Sequence, residues 1–366
     1  MRVVVAVEHA GVGAAETYAF TLAAELGRHG HQVELLVYPG LEPQIASWLE
    51  GSPVSIVTVP ETPGARFRAA LARFRRAPRP EIVHVNHAAS PVLVAARTAG
   101  IHARIVTDHV LPLHPTYGVK GEILRRLTRA SASRVIVFSQ QNAATASEAW
   151  GRVPVRLVYP GVPQPACEGS PEAVRRSHGI PATARVVTSV GRLTQQKRMD
   201  VLVRALPLLD LDYHALLVGD GEERAALGEL ARELGVTGRV IFAGHLADVG
   251  CLLAVTDLYV QCSAWEGICF AVLEAMAVRR PCIVTDLPAL REATGSDVPA
   301  VPVGDPEALA SAIREALSNP TAARARGEEL HARWSSTFTV AEMARGTRLV
   351  YLEARGNRQL FARENL

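Results

Sequence analysis

Residues 262–278 read CSAWEGICFAVLEAMAV. The stretch opens at the end of an apolar strand, DLYVQCS (257–263), turns at Trp265-Glu266-Gly267, and continues as a helix expected to begin near Gly267. It places two carboxylates, Glu266 and Glu274, among Ala, Val, Leu, Phe and Met. A buried carboxylate is costly unless something compensates it. If the whole stretch were helical, the eight-residue step would separate the two by roughly 12 Å along the axis and about 80° around it. That is too wide for a pair sharing one proton, and too wide for two carboxylates acting on a single glycosidic bond. It suits two groups on one elongated ligand.

The same strand–turn–helix unit recurs outward in both directions. RVVVAV (2–7), QVELLVY (32–38), EIVHVN (81–86), ARIVTDH (103–109) and RVIVFS (134–139) read as strands. Alternating with them are Ala/Arg/Glu-rich helical segments such as 14–30. Apolar runs alternating with helices predict parallel strands covered on both faces. The pattern breaks into Pro, Gly and Ser around LVYPGVPQPACEGSPEA (157–173), which reads as a linker. It restarts with RVVTSVG (185–191), YHALLVGDG (213–221), RVIFAG (239–244), 257–263, PCIVTD (281–286) and PAVPVG (299–304). The expectation is two βα domains, residues 1–162 and 163–340, followed by a helical tail, 341–366, packing back on the first. In open α/β sheets ligands bind beyond the carboxyl ends of the strands, so a site shared across a deep interdomain cleft is expected.

The 366 residues carry a net charge of only +3, which excludes a dedicated nucleic-acid binder on electrostatic grounds. No run reaches the length of a membrane span, and the N-terminus is too short in apolar residues for a signal peptide. Five cysteines (167, 251, 262, 269, 282) without paired spacing read as reduced thiols of a cytoplasmic protein. No cluster has metal-ligand spacing. The basic segments 66–79 and 120–134 read as solvated helix faces, with peripheral contact to anionic lipid as their second reading.

Candidate site residues sit at strand ends. Gly11-Val12-Gly13 resembles the start of a dinucleotide fingerprint, but the third glycine is missing and no acidic residue ends the second strand. A glycine loop feeding a helix N-terminus, at Gly13 and Ala14, still offers a phosphate cradle. Arg192 and Lys197 follow a strand in SVGRLTQQKRMD, and two fixed cations there suit a diphosphate. His109 ends a first-domain strand, with His84 and His87 as lesser candidates.

Taken together, SAWEGICFAVLEAMA, GAAETYAFTLAAELGRHGHQVELL, SVGRLTQQKRMDVLVRA and LLVGDGEE resemble the E-x7-E retaining glycosyltransferases of the GT-B fold, the group 1 or family 4 type. The resemblance implies that Glu274 holds the nucleotide ribose and Glu266 contacts the transferred sugar. It implies that Arg192 and Lys197 neutralise the diphosphate, helped by the backbone amides of Ile268, Cys269 and Phe270. His109 would reach the donor sugar, and the amides around Gly13 and Ala14 the phosphates. It further implies a hexose moved from a nucleotide diphosphate sugar without metal or other cofactor; UDP is expected rather than GDP, and a small-molecule acceptor is expected because no hydrophobic anchor is evident. A membrane-surface glycolipid acceptor is one alternative. A non-catalytic nucleotide-sugar-binding protein is the alternative from another class. Where glycines are common in the family, this chain has Ala14, Arg198 and Cys269, and LPALRE stands before and at Glu292.

Overall fold

The computed structural model describes residues 1–8, 13–109, 119–167, 169–246 and 248–356. The chain divides into two compact units: Met1–Val162 together with the chain from Thr339 onward, and Pro163–Phe338.

In the first unit the strands are β1 (Arg2–Ala6), β2 (Gln32–Val37), β3 (Val54–Thr58), β4 (Ile82–Val85), β5 (Ala103–Thr107), β6 (Arg134–Val137) and β7 (Val155–Leu157). They form one sheet in the order β3-β2-β1-β4-β5-β6-β7. Every pairing is parallel. The central strands β1 and β4 are buried almost throughout, as strands covered on both faces must be. β3 and β7 add to the strands expected from sequence. Both are edges: β3 is partly exposed, and β7 has only three residues, so neither carries the continuous apolar run that marks a covered strand.

The helix Val340–Ala354 belongs to this unit and packs on β5 and β6 and on the helix Ala14–Arg28. A buried polar link fastens it. His84 on β4 contacts the Tyr351 hydroxyl through Nδ1 at 2.8 Å and the Thr107 hydroxyl through Nε2 at 2.7 Å. Burial pushes the His84 pKa down to about 3, so the imidazole is neutral and structural.

The second unit repeats the plan with β8 (Arg185–Val190), β9 (Tyr213–Val218), β10 (Val240–Gly244), β11 (Leu258–Gln261), β12 (Cys282–Thr285) and β13 (Ala300–Val301). The order is β10-β9-β8-β11-β12-β13, again parallel throughout. β8 and β11 lie side by side where the strand order reverses, the position at which open α/β sheets bind ligands. Leu258, Val260 and Cys262 face the main core of the unit. Tyr259, Gln261 and Ser263, equally buried, take the opposite face by the two-residue period of a strand.

The cysteine expectation is corrected. Cys167 and Cys251, 84 residues apart in sequence, are joined by a disulfide. The linker lies directly on the helix Gly250–Ala254, where a Cβ on Gly250 would come within 2.2 Å of the Ala166 carbonyl oxygen. That approach sets the two Cα atoms 4.5 Å apart, within bridging range. The other three cysteines are free and buried. Five reduced thiols therefore no longer argue for a reducing compartment. Among the described residues, no helix is long and apolar enough to cross a membrane.

Candidate functional site

In the second unit the loop after β8 folds against the loop after β9. Leu193 N–H donates to the Asp220 carbonyl, and Glu223 N–H returns to the Leu193 carbonyl. Gly219, at φ +132°, permits this contact: a Cβ there would sit 1.9 Å from the Gly191 carbonyl oxygen. Gly191, at φ +150°, leaves its own open face to the Lys197 side chain, whose Cε would lie 3.2 Å from an added Cβ. Only glycine suits such a conformation at close quarters. The residue after Lys197, where the resemblance leads one to expect glycine, adopts a conformation that glycine would take freely. Arg198 adopts φ 47°, ψ 43°, a left-handed conformation costing a side chain on the order of 1–2 kcal/mol. Its guanidinium forks onto Asp200, Nε to Oδ1 at 2.9 Å and Nη2 to Oδ2 at 3.1 Å.

Lys197 is thereby aimed at Glu266, with Nζ to Oε1 at 2.6 Å; the side chains are 15% and 6% exposed. Burial works against the Lys197 charge, and Arg192 repels it, but the Cys269 sulfur and the Glu266 carboxylate more than compensate and hold its pKa above the ordinary value. Arg192 is exposed and makes no ion pair or side-chain hydrogen bond among the described residues. One cation is thus committed to a carboxylate and the other is open to an anion.

Glu266 Oε1 also accepts from Ser263 Oγ at 2.7 Å. Ser263 Oγ accepts from Gln261 Nε2 at 2.7 Å, and Gln261 Oε1 accepts from the Tyr259 hydroxyl at 2.6 Å and the Cys269 thiol at 3.3 Å. Burial pushes the Cys269 thiol up to about 11, so at neutral pH it is a proton donor in a packed corner.

The helix in this stretch begins at Phe270 and runs to Ala277, with Cys269 at its N-cap. The expected start near Gly267 is therefore corrected, and the helical ruler between the two glutamates does not apply. Residues 266–268 are loop, and Gly267 lets the chain turn before the helix is nucleated. Glu266 hangs from the strand end, while Glu274 stands on the helix. Ile268 and Cys269 are buried and Phe270 half-buried, around the helix N-terminus where an anion is favoured.

Glu274 is neither salt-bridged nor hydrogen-bonded through its side chain among the described residues, and it retains partial exposure. Its surroundings are tight enough that burial, then the Asp248 charge, raises its pKa to about 7. A desolvated acceptor without a partner is poised for a hydroxyl-bearing ligand.

In the first unit, Gly13 caps the helix Ala14–Arg28, but its N–H donates to Glu16 Oε2 at 3.1 Å. The expected phosphate-binding amide at Gly13 is occupied by the chain's own carboxylate, as in a capping box. Ala14 is exposed at the first helical position, and Gly11 lies outside the described residues. His109 follows β5, packed edge-on against Tyr18 (5.4 Å between centroids) and Phe138 (4.9 Å). His87 Nδ1 accepts the Ala89 N–H at 3.2 Å, a turn contact.

Tyr259, Gln261 and Ser263 were not foreseen, although polar residues at every second position of a buried strand were a readable signal. The Glu8–Arg66 pair was missed as well: its partners are 58 residues apart. Among the described residues no three His, Cys, Asp or Glu side chains converge as a metal site would require.

Residues 170–335 match the family model described as Glycosyl transferases group 1, and residues 13–164 match that of Glycosyltransferase Family 4. The lipopolysaccharide core biosynthesis glycosyltransferase LpsE of Rhizobium meliloti (strain 1021) is 38% identical over 141 residues, 38% of this chain and 41% of that protein. The 2-deoxystreptamine N-acetyl-D-glucosaminyltransferase of Streptomyces fradiae is 29% identical over 283 residues, 70% of this chain and 67% of that protein. The chain thus spans less than half of the first relative's length. Among solved structures, Anabaena Alr3699/HepE in complex with UDP and glucose superposes with a TM-score of 0.81 at 20% identity, covering 95% of this chain and 98% of that one. WaaG, a glycosyltransferase involved in lipopolysaccharide biosynthesis, gives a TM-score of 0.71 at 17% identity, covering 95% and 99%. At these identities the likeness is one of fold, and the fold is GT-B.

Proposed function

This chain belongs to the group 1 and family 4 glycosyltransferases, and from that membership we propose that it transfers a hexose from a UDP-sugar to a small polar acceptor with retained configuration. The observation that carries the reading is the division of labour at the second sheet's carboxyl edge. Among the described residues Glu274 is a carboxylate without a partner and Arg192 a cation without one, and Lys197–Glu266 is a fixed pair between them in sequence. Glu274 accepts the ribose hydroxyls. Arg192, Lys197 and the amides of Ile268, Cys269 and Phe270 neutralise the diphosphate as its charge grows. Glu266 takes a sugar hydroxyl. The bond from the anomeric carbon to the phosphate oxygen breaks as the bond to the acceptor oxygen forms on the same face. The acceptor's proton passes to the departing phosphate. Support for UDP comes from the UDP complexes of Alr3699/HepE, and support for a small polar acceptor from the aminocyclitol in the name of the Streptomyces relative.

The test is nucleotide release from a panel of UDP-, GDP-, ADP- and dTDP-sugars, with and without candidate acceptors. Release from a UDP-sugar is expected. Saturable binding with neither transfer nor slow hydrolysis would leave only a nucleotide-sugar-binding protein. The raised pKa of Glu274 gives a pH signature. Ribose hydroxyls need the ionised acceptor, so UDP affinity should climb as pH rises from 6 to 8 through about 7. Calorimetry should show proton release on binding at pH 6, and Glu274→Gln should lower affinity and remove that excess pH dependence. An unchanged pH profile in Glu274→Gln would detach Glu274 from the ribose.

A second reading is favoured by one surface feature. On the helix Val119–Ser131, Val119, Ile123 and Leu127 are 80%, 53% and 49% exposed. Their i, i+4, i+8 spacing makes one apolar stripe, with Lys120, Arg125, Arg126 and Arg129 around it and Glu122 as the lone acid. Such a stripe suits an anionic bilayer surface and hence a glycolipid acceptor. Flotation with phosphatidylglycerol vesicles that is lost in Ile123→Glu would support it; no flotation would leave the soluble acceptor.

A further inference from the structure

We propose that Tyr259, Gln261 and Ser263 are positioning residues for Glu266, a buried one-way hydrogen-bond relay that fixes which carboxylate oxygen faces the transferred sugar. The inference rests on the reading that Glu266 contacts that sugar.

The direction of the relay follows from which atoms can give protons. Lys197 can only donate, and an ionised Glu266 can only accept. Ser263 Oγ has one proton and spends it on Glu266 Oε1 at 2.7 Å, so toward Gln261 it must be the acceptor, at 2.7 Å from Nε2. That fixes the Gln261 amide with its oxygen toward Tyr259 and Cys269, both donors, at 2.6 and 3.3 Å. Every proton in the chain points toward Glu266. At its end Oε1 holds two donors, Lys197 and Ser263, while Oε2 has no partner among the described residues.

Tyr259, Gln261 and Ser263 are all fully buried. A buried primary amide is expensive unless both its ends are satisfied, and here they are. Tyr259 and Gln261 take one face of β11, a central strand of the sheet, and Ser263 continues the row just past its end, where apolar residues would pack more cheaply. Thr285 secures the strand end beneath it, its hydroxyl donating to the Ser263 carbonyl at 2.7 Å. The carboxylate is therefore held at one oxygen from two directions, and rotation about its last bond is removed. Groups that meet the reacting sugar gain most from being fixed in this way beforehand.

Ser263→Ala cuts the relay next to Glu266 without touching the nucleotide-binding residues. With the UDP-sugar that the panel shows to be turned over, kcat should fall roughly 10- to 100-fold, the loss of one hydrogen bond to a charged group, while the Kd for UDP stays within twofold. Ser263→Thr, which restores the hydroxyl, should recover most of kcat, and Tyr259→Phe, three links away, should cost less than Ser263→Ala. A crystal structure of Ser263→Ala should show the Glu266 carboxylate turned away from its wild-type rotamer. A residue that is merely structural would lower UDP binding and thermal stability together and would not be rescued selectively by threonine. The proposal falls if Ser263→Ala keeps kcat within twofold, if threonine is as defective as alanine, or if the Glu266 rotamer is unchanged. If Glu266→Gln itself turns over normally, the sugar-contact reading fails instead; if Glu266→Gln is inactive and Ser263→Ala is not, only the positioning role fails.

Discussion

Glu266→Gln should abolish most transfer while leaving UDP binding nearly intact. Two donors converge on Oε1 of the wild-type carboxylate, Lys197 and Ser263, both closer than 2.8 Å. The amide oxygen of glutamine can take the same two hydrogen bonds, so the fold around it is preserved. What changes is the outer atom, which becomes an NH2 donor where a sugar hydroxyl needs an acceptor, and the charge is gone. Removing one such preorganised electrostatic contact typically lowers kcat by roughly 100- to 1000-fold. Nucleotide affinity should hold within about twofold, because the ribose is assigned to Glu274 and the diphosphate to Arg192, Lys197 and the helix N-terminus. Steady-state turnover beside calorimetric UDP binding separates the two effects. Equal loss of both in Glu266→Gln would mean that the pair with Lys197 organises the diphosphate site, and that the sugar is held by other groups.

The reach of the sequence is uneven for physical reasons. Strands buried on both faces, such as IVHV (82–85) and YHALLV (213–218), announce themselves by continuous apolar runs. The edge strand VSIVT (54–58) does not, because no residue of it is fully buried and Ser55 and Thr58 interrupt its apolar run, although its Val, Ile and Thr are strand formers. Residue types at strand ends were legible: Glu266, Lys197 and Arg192 stand where cations and carboxylates have no packing reason to be. Their mutual geometry was not, since the Lys197–Glu266 pair closes over 69 residues of chain. Glu274 taught the opposite lesson. Apolar neighbours on all sides in sequence suggest a core carboxylate in need of a partner, yet it is only partly exposed and has no side-chain partner among the described residues. Gly13 shows the remaining difficulty: a glycine before a helix reads as an anion cradle, but Glu16, one turn on, fills it. The disulfide was invisible for the same reason as the ion pair, its halves being brought together only by tertiary packing.

The largest effect on stability should come from Arg66→Ala, far in sequence from any of these groups. Arg66 and Glu8 side chains are 1% and 3% exposed, and Nη1 meets Oε2 at 2.8 Å. The guanidinium lies 3.5 Å from the centre of the Tyr38 ring, and Ser90 Oγ donates to the other Glu8 oxygen. Alanine would strand a carboxylate among apolar strands, and breaking a buried pair in this way costs about 3–5 kcal/mol, a large share of the roughly 5–15 kcal/mol that holds a domain. Burial already raises the Glu8 pKa to about 7 even with Arg66 lowering it. A folded-state pKa above the unfolded value of 4.5 contributes stability that is fully present below pH 4.5 and is lost as pH rises through about 7. Without the arginine the pKa rises further, so the variant escapes its penalty by protonating Glu8 when the solution is acidic. The deficit of Arg66→Ala should therefore be greatest at pH 8 and shrink toward pH 5. Hydrogen exchange of the β1 amides is the measurement to use, because a chain of two units need not unfold in one step. Arg66→Ala combined with Glu8→Gln should regain much of the loss at pH 8 and remove its pH dependence. A deficit that stayed constant from pH 5 to pH 8 would show that lost packing against Tyr38, rather than the stranded charge, sets the cost.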